Sequence, residues 1–399
     1  MKTPILVINR HSHGFLFEFG RCLLPLEDIE PHLVTHAYSG VDGLDSSAFR
    51  HTHTCSFLDP SQVEALCAWI IDRYSVRHVV ALHERAMTSA ARLRTRFGLP
   101  GLSEDGVVLF RDKIAMKRAA AEAGILVPDH HRLDSIEDLR AVPLDGRAWV
   151  MKPRYGVGSK HVSVVTSLAE ASERWSTVDP GPGQFEIEEF VEGDLFHCDA
   201  VVEGGSLGFA EVSRYLANPG EFGPDGMAGS VNLPPGPFTR RVIALTAAVV
   251  AAFGFASGVL HLEVFRTDGD ELVLLEVAAR PGGGGIDRYL SLAHGVNIIE
   301  AAVRVELGLD VTRRPGASDG RSVWGVVGFY PGEHAFGVPS ALFGELGIVE
   351  HLHDADAGRG SGAPRHCTDY RDRYIVRAAD LVDFEHKALT IGECYRSAP

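Results

Sequence analysis

Apolar and polar positions follow two rhythms along this chain, and the change of rhythm divides it. Over residues 1–108 short apolar runs alternate with stretches of helical period. They predict a strand over Ile5–Ile8, a helix over Gln62–Tyr74, a strand over His78–Leu82, and a helix through Phe97 closed by Gly98. Strands alternating with helices imply a parallel, Rossmann-like sheet, with ligands beyond the carboxyl ends of the strands. Arg10, His11, Ser12 and His13 follow the first strand, and His83, Glu84 and Arg85 follow another. A further helix opens after Asp112, which is placed to cap it, and ends at Gly124, with Ile114, Ala115, Ala119 and Ala123 roughly on its apolar stripe. Beyond it the chain turns to strands: an end at Val150–Arg154, a strand over His161–Val165, and an acidic strand end, Glu188–Gly193, running into another strand through Asp199 and Val202.

The clearest strand pair is Leu260–Thr267 and Glu271–Ala279, turning at Asp268-Gly269. A two-residue loop pairs Thr267 with Asp270, which sets Glu263 opposite Leu274 and diagonal to Glu276 on the same face. Their carboxylates then lie within roughly 7–8 Å, close enough to share hard cations. Arg280 follows on that face, and Pro281-Gly282-Gly283-Gly284-Gly285 lets the backbone bend. Two acids and an arginine on otherwise apolar strands are costly to bury without a role; the competing reading is a solvated edge hairpin.

Between Arg154 and His161 lies Tyr155-Gly156-Val157-Gly158-Ser159-Lys160. Strand, loop, strand is not the strand–loop–helix of a Walker or dinucleotide motif. Such a loop can fold its N–H groups over phosphate oxygens, with Lys152 adding a positive charge, or be a plain β-turn. The glycine- and proline-rich segment Asn218–Pro237 is either a disordered crossing or a substrate lid, and its length inside a compact region favours the lid. Arg214 and Tyr215 precede it, Ser230 lies near its end, and a helix over about Thr239–Phe253 follows. Residues 313–399 mix short strands (Val323–Tyr330, Tyr374–Ala378) with a terminal helix. The run His-Leu-His-Asp-Ala-Asp at 351–356 has no fixed ligand spacing and is expected to be a polar turn; His11 and His13 are expected to be plain surface residues.

A length of 399 residues suits two to four compact units. Hydrophobic content of 45% with 23% charged residues is that of an ordinary soluble globular protein. The longest apolar stretches, such as Val242–Phe255, fall short of a membrane span, and the N-terminus does not have the form of a signal peptide, so a cytoplasmic protein is expected. A net charge of −15 argues against nonspecific binding to nucleic acid or an anionic membrane. Six cysteines without CxxC spacing imply reduced thiols.

Four motifs in order, Asp112-Lys113…Met116-Lys117 through Gly124-Ile125, then Met151-Lys152-Pro153-Arg154 with its glycine loop, then Glu188–Gly193, then His261–Val264 with Leu275–Gly283, resemble the ATP-grasp superfamily. More narrowly the chain resembles its carboxylate–amine ligases, which include the bacterial L-amino-acid (dipeptide) ligases, from about Val79 to Leu309. The resemblance implies an α/β chain (α+β in the ATP lobes) of ATP-grasp fold with an N-terminal Rossmann-like parallel-sheet domain. The implied units are 1–108, a small ATP-binding lobe at 109–190, a catalytic lobe at 191–312, and a C-terminal subdomain at 313–399. It implies ATP and Mg²⁺ (or Mn²⁺) as cofactors, and formation of an amide through an acyl phosphate. Lys113 and Lys152 would meet the phosphates, Tyr155, Gly156, Gly158, Ser159 and Lys160 would form a mobile flap over them, and Glu188, Glu189, Phe190 and Val191 would hold adenine. Glu263 and Glu276 would hold the metal. Arg280 would meet the transferred phosphoryl group, with Lys152 and Glu276 beside it in the catalytic set. Glu84 would stand near the amine, and Arg214, Ser230 and Gly283 would complete the substrate side.

Two departures stand out. Ala278 replaces an asparagine that many relatives use as a metal ligand, and Leu195 replaces a glutamate for the ribose; Asp194, His197 or Asp199 could stand in for the latter. The expected partners are a small carboxylate and an amine, with no nucleic acid and no membrane, and with a homodimer left open. The competing functions are a carboxylase or purine-pathway type of enzyme that activates a small acid, and a nucleotide-binding regulator whose activity has decayed.

Overall fold

The structure is a computed structural model, and it describes residues 2–10, 13–36, 49, 51–57, 59–316, 320, 322–332, 337–354, 357 and 363–397. His11, Ser12 and the end of the 351–356 run lie outside these residues, as does the side chain of His13.

The N-terminal part runs β1 (Thr3–Asn9), β2 (Phe17–Glu18), β3 (Arg21–Cys22), β4 (Ile29–His36), β5 (His51–Cys55), α1 (Pro60–Tyr74), β6 (His78–Ala81), α2 (Glu84–Phe97) and the short α3 (Glu104–Val107). Strands β5-β4-β1-β6 form a four-stranded parallel sheet, as the alternation of strand and helix predicts. Helix α1 starts where Pro60 fits a first turn and Asp59 accepts the Ser61 N–H; it stops at Ser75, in the left-handed region.

Next come α4 (Lys113–Glu122), β7 (His130–Leu133), β8 (Asp145–Pro153), β9 (Ser163–Ser167), α5 (Leu168–Val178) and β10 (Phe185–Glu189). Their strands form a second sheet, β7-β10-β8-β9, antiparallel throughout. The rest is β11 (Asp194–Glu203), β12 (Ser206–Tyr215), β13 (Met227–Asn232), α6 (Pro237–Ala252), β14 (Gly258–Arg266), β15 (Leu272–Ala278), α7 (Ile286–His294), α8 (Ile298–Glu306), β16 (Val323–Phe329), β17 (Ile348–His353), β18 (Asp372–Ala378) and α9 (Leu381–Ser397). One eight-stranded sheet, β15-β14-β11-β12-β13-β16-β18-β17, runs straight across residue 312.

Two expectations are corrected here. The segment Asn218–Pro237 is neither a disordered crossing nor a lid along its whole length, because β13 occupies its second half and pairs with β12 and β16 inside the sheet. Its glycines and prolines mask a buried strand, in which the small Gly229 lets the neighbouring β16 backbone approach. Residues 351–353 are not a turn but the end of β17, the edge strand of the large sheet.

The sheet packs on α4 and α6 through a core that includes Phe110, Met116, Val249, Phe253, Leu262 and Val277. Each such fully buried side chain contributes about 1.5–3 kcal/mol relative to exposure. This core fixes the first turn of α4 against the β14–β15 hairpin. Among the described residues no helix is long and apolar enough to cross a membrane, and all six cysteines are free thiols.

Candidate active site

The β14–β15 hairpin does place Glu263 and Glu276 on one face, by a route different from the expected one. The loop holds three residues rather than two: Thr267 N–H bonds to the Glu271 carbonyl at 3.0 Å, and Asp270 N–H to the Thr267 carbonyl at 2.9 Å. Asp270 takes a left-handed φ of 63°, and its side chain is held there by Arg266 and Arg241, both at 2.7 Å. One extra loop residue alone would throw the two carboxylates onto opposite faces. A bulge between Glu263 and Val264 supplies a compensating shift, so Glu263 sits directly opposite Glu276 rather than opposite Leu274.

Beneath Glu263 lies a buried polar chain. Tyr215 Oη donates to Glu263 at 2.7 Å and lies 3.2 Å from His261 Nε2. His261 Nδ1 meets Asp199 at 2.9 Å, and the other oxygen of Asp199 meets His197 Nδ1 at 2.6 Å. Burial pushes the Glu263 carboxyl up, but His261 and Tyr215 outweigh it and bring it down to about 2. Burial likewise opposes the charged form of His261, yet Asp199 raises it to about 9. His197 is fully buried, with no hydrogen-bond partner for Nε2 among the described residues. Leu195 is buried too.

Facing this pair, the first turn of α4 is capped by Asp112, whose Oδ1 accepts the Ile114 and Ala115 N–H groups. The cap points Lys113 across the cleft, where its ammonium meets Glu276 at 2.9 Å and the Gly156 carbonyl at 3.2 Å. Lys152, on β8, bonds to Glu188. Lys117, one turn along α4, meets Glu186 and Glu188 at 2.6 Å each. Burial disfavours the Lys152 ammonium, but Glu188 and Glu186 hold its pKa above the ordinary value.

Glu188 therefore belongs to a buried ion cluster, its side chain reaching inward from β10 to Lys152 and Lys117. Glu189 and Phe190 are exposed, and their N–H groups are already engaged by the Asp129 and Ala148 carbonyls. Lys117 and Glu186 were missed as site residues. The helical spacing of Lys113 and Lys117 was the available signal.

The glycine loop Tyr155–Lys160 joins β8 to β9 and is tied on three sides. Arg111 donates to the Tyr155 carbonyl at 2.8 Å, Lys113 donates to that of Gly156, and Cys367 N–H donates to that of Gly158 at 3.2 Å. Gly158 has φ of 64°, and a Cβ there would sit 2.9 Å from His366 Cβ, so only glycine fits. The strap Arg365–Asp369 thus lies between this loop and the Gly283–Gly284 bend, where Thr368 packs. Burial, together with Arg85, Arg365 and Arg10, holds the Lys160 ammonium below its ordinary pKa. Nothing in the periodicity of the strap announced its position.

Glu84 is buried at the first turn of α2 and is gripped by two arginines: Arg111 by one oxygen, and Arg280 Nε and Nη2 by the other at 3.1 and 3.0 Å. Burial raises its carboxyl, but Arg280, Arg111 and Lys113 hold it below the usual range. With one oxygen on each arginine, Glu84 braces Arg280 against Arg111. The cavity between Leu82, Met87, Arg280 and Pro281 has a volume of about 40 Å³.

Of two other expected substrate residues, Arg214 lies elsewhere, while Ser230 stands opposite Tyr215 in the sheet, on the face of Glu263. Arg214 alternates with Tyr215 on β12, so it leaves by the opposite face and pairs with Glu385 on α9. Ser230 is buried, with Oγ 3.3 Å from Tyr289 Oη. Gly283 does reach the site edge, against Thr368.

Residues 110–284 match the family model described as ATP-grasp domain. Over 263 residues the chain is 28% identical to an L-arginine-specific L-amino acid ligase of Bacillus subtilis, a match covering 63% of this chain and 62% of that protein. Among solved structures, an L-amino acid ligase from Bacillus licheniformis superposes with a TM-score of 0.77 at 16% identity, over 98% of both chains. A carboxyaminoimidazole ribonucleotide synthase from Aspergillus clavatus, complexed with ATP, does so at 0.71 and 15%, over 99% of both. At these identities the structural likeness is one of fold.

Proposed function

The chain carries an ATP-grasp domain over residues 110–284, and from that premise we propose that it is an ATP-dependent ligase. It joins a carboxylate to an amine, with amino acids as substrates, through an acyl phosphate, releasing ADP and phosphate. The observation that carries the reading is the contact across the cleft, where Lys113 of one lobe meets Glu276 of the other at 2.9 Å, directly opposite Glu263. Two carboxylates on one face, one of them partnered by a lysine that phosphates would attract, are a donor set suited to Mg²⁺. When bound, the ion neutralises the charge of the phosphoryl group in transfer.

Glu263 and Glu276 would hold that ion, Lys113 and Lys152 would meet phosphate oxygens, and the N–H groups of the 155–160 loop would close over them. Arg280, held by Glu84 through Nε and Nη2 and by the Pro281 carbonyl through Nη1, would offer its remaining N–H groups and its charge to the acyl end, where negative charge develops on oxygen. Arg85, Arg365 and Arg10 gather near Lys160, with Asp369 beside them, and this positive patch suits the free carboxylate of an amino-acid substrate. The strap and the loop together exclude water from an acyl phosphate.

The test is a screen of ADP release against pairs of carboxylic and amino acids, with mass spectrometry of the product. An amide formed only when both substrates are present is the expected result. The competing reading is activation of a small acid by the same phosphoryl chemistry. ADP release driven by bicarbonate or formate, with no amide from any amino-acid pair, would establish that reading instead.

A further inference from the structure

The strand that replaces the expected turn at 351–353 carries a second cluster, at the far end of the large sheet from Glu263 and Glu276. On a strand His351 and His353 share one face. Opposite them on β18 stands Asp372, in register with His353. Its Oδ1 lies 2.8 Å from His351 Nε2 and 2.8 Å from His353 Nδ1. One nitrogen from each imidazole and one carboxylate oxygen therefore lie within 4.8 Å of one another.

The neighbours hold this set in place. Tyr395 Oη donates to the other oxygen, Asp372 Oδ2, at 2.5 Å, and orients the carboxylate as an outer partner does in a metal site. The His351 ring lies flat on Tyr374, with centroids 4.5 Å apart and planes 7° apart. Arg371 approaches Oδ2 at 3.8 Å rather than Oδ1, on which the histidines converge. Asp372 is buried, while the His351 and His353 side chains are 33% and 48% exposed, which leaves one side open to water.

We propose that His351, His353 and Asp372 bind a divalent ion of the zinc class, with solvent as the fourth ligand. Two imidazoles and a carboxylate suit Zn²⁺, and also Ni²⁺ or Cu²⁺; Mg²⁺ prefers an all-oxygen octahedron. Bonds of about 2.0–2.1 Å at tetrahedral angles put ligand atoms roughly 3.3 Å apart. The two 2.8 Å contacts need to open by about half an ångström, and the two nitrogens, within 4.8 Å of each other, need to settle at the same spacing, a shift the exposed His353 can absorb. The ion clips edge strand β17 to β18 and, through Tyr395, to α9.

The experiment is calorimetric titration of Zn²⁺ into metal-stripped protein in excess Mg²⁺, which keeps the Glu263–Glu276 pair occupied, with thermal melts beside it. Wild type should take up Zn²⁺ and gain Tm. His353→Ala and His351→Ala should each weaken the affinity at least about tenfold and abolish the Tm gain. Each variant is also melted without metal, so that any loss from the missing Asp372 or Tyr374 contact is read separately from the loss of metal binding. No uptake by wild type, or uptake unaltered in both variants, overturns the proposal. Either result leaves the ligase reading untouched, because the site shares no residue with it.

Discussion

The cluster of Lys117, Lys152, Glu186 and Glu188 draws its members from α4, β8 and β10, which pack together beside the cleft. Glu84, Arg111 and Arg280, by contrast, come from the start of α2, the turn before α4, and the chain beyond β15. Both clusters are buried, and both aim a cation at the cleft. In the first, two carboxylates match two ammonium groups, so Lys152 is placed by a locally neutral unit. In the second, one carboxylate grips two guanidinium groups and leaves an excess positive charge where an acyl oxyanion would form. The first arrangement serves position, the second position and field.

The largest expected effect comes from breaking the neutral cluster. Lys117→Met leaves two buried carboxylates with one cation and should cost about 3–5 kcal/mol in urea unfolding. A loss well under 1 kcal/mol would mean that water already reaches the cluster. The same cluster predicts an acid limb. Glu188 titrates at about 2 when folded, against an ordinary 4.5, because Lys117 and Lys152 outweigh its burial. The unfolded chain therefore takes up the proton first, and stability present above about pH 4.5 should drain away towards pH 2. A flatter slope in Lys117→Met would tie that limb to this pair.

Next, Glu276→Gln keeps the size of the side chain and loses its charge, and should lower kcat by about 10²–10³ with the fold intact. Turnover close to wild type would remove Glu276 from the metal set. Glu84→Gln tests the second cluster. Its weaker grip on Arg280 should lower kcat/KM for the acid by about 10–100-fold, with KM for ATP little changed. An effect confined to the amine would place Glu84 on the amine side. The smallest effect belongs to Tyr215→Phe, which removes one hydrogen bond from Glu263 and should weaken Mg²⁺ dependence by about tenfold. Manganese binding followed by electron paramagnetic resonance, without nucleotide, separates this from a loss of rate.

Much of the site was legible because its residues sit on strands and helix starts, where local chemistry dictates direction. Asp112 caps α4 as its position predicts, and the cap aims Lys113. The hairpin shows the limit. Period-two counting cannot see a bulge, and Asp-Gly suggested a two-residue loop where Asp270 adopts a left-handed φ of 63° instead. Loop and bulge offset each other, so the face came out right while the partner of Glu263 came out wrong. Arg214 shows another limit: its neighbourhood in sequence suggests the substrate side, yet it is held by Glu385 far along the chain, just as Glu84 is held by Arg280.

By itself the sequence determined the parallel N-terminal sheet, the α4 start, the strand–loop–strand flap and the acidic hairpin. Each follows from periodicity, capping or turn chemistry within a short window. Only the tertiary structure decided which charges meet. The Lys113–Glu276 contact, the grip of Glu84 on Arg280, the strap of residues 365–369 across Gly158, and the histidine–aspartate edge of β17 all join segments widely separated in sequence. Burial at those junctions leaves a charge no option but a partner, and the partner is chosen by packing rather than by sequence distance.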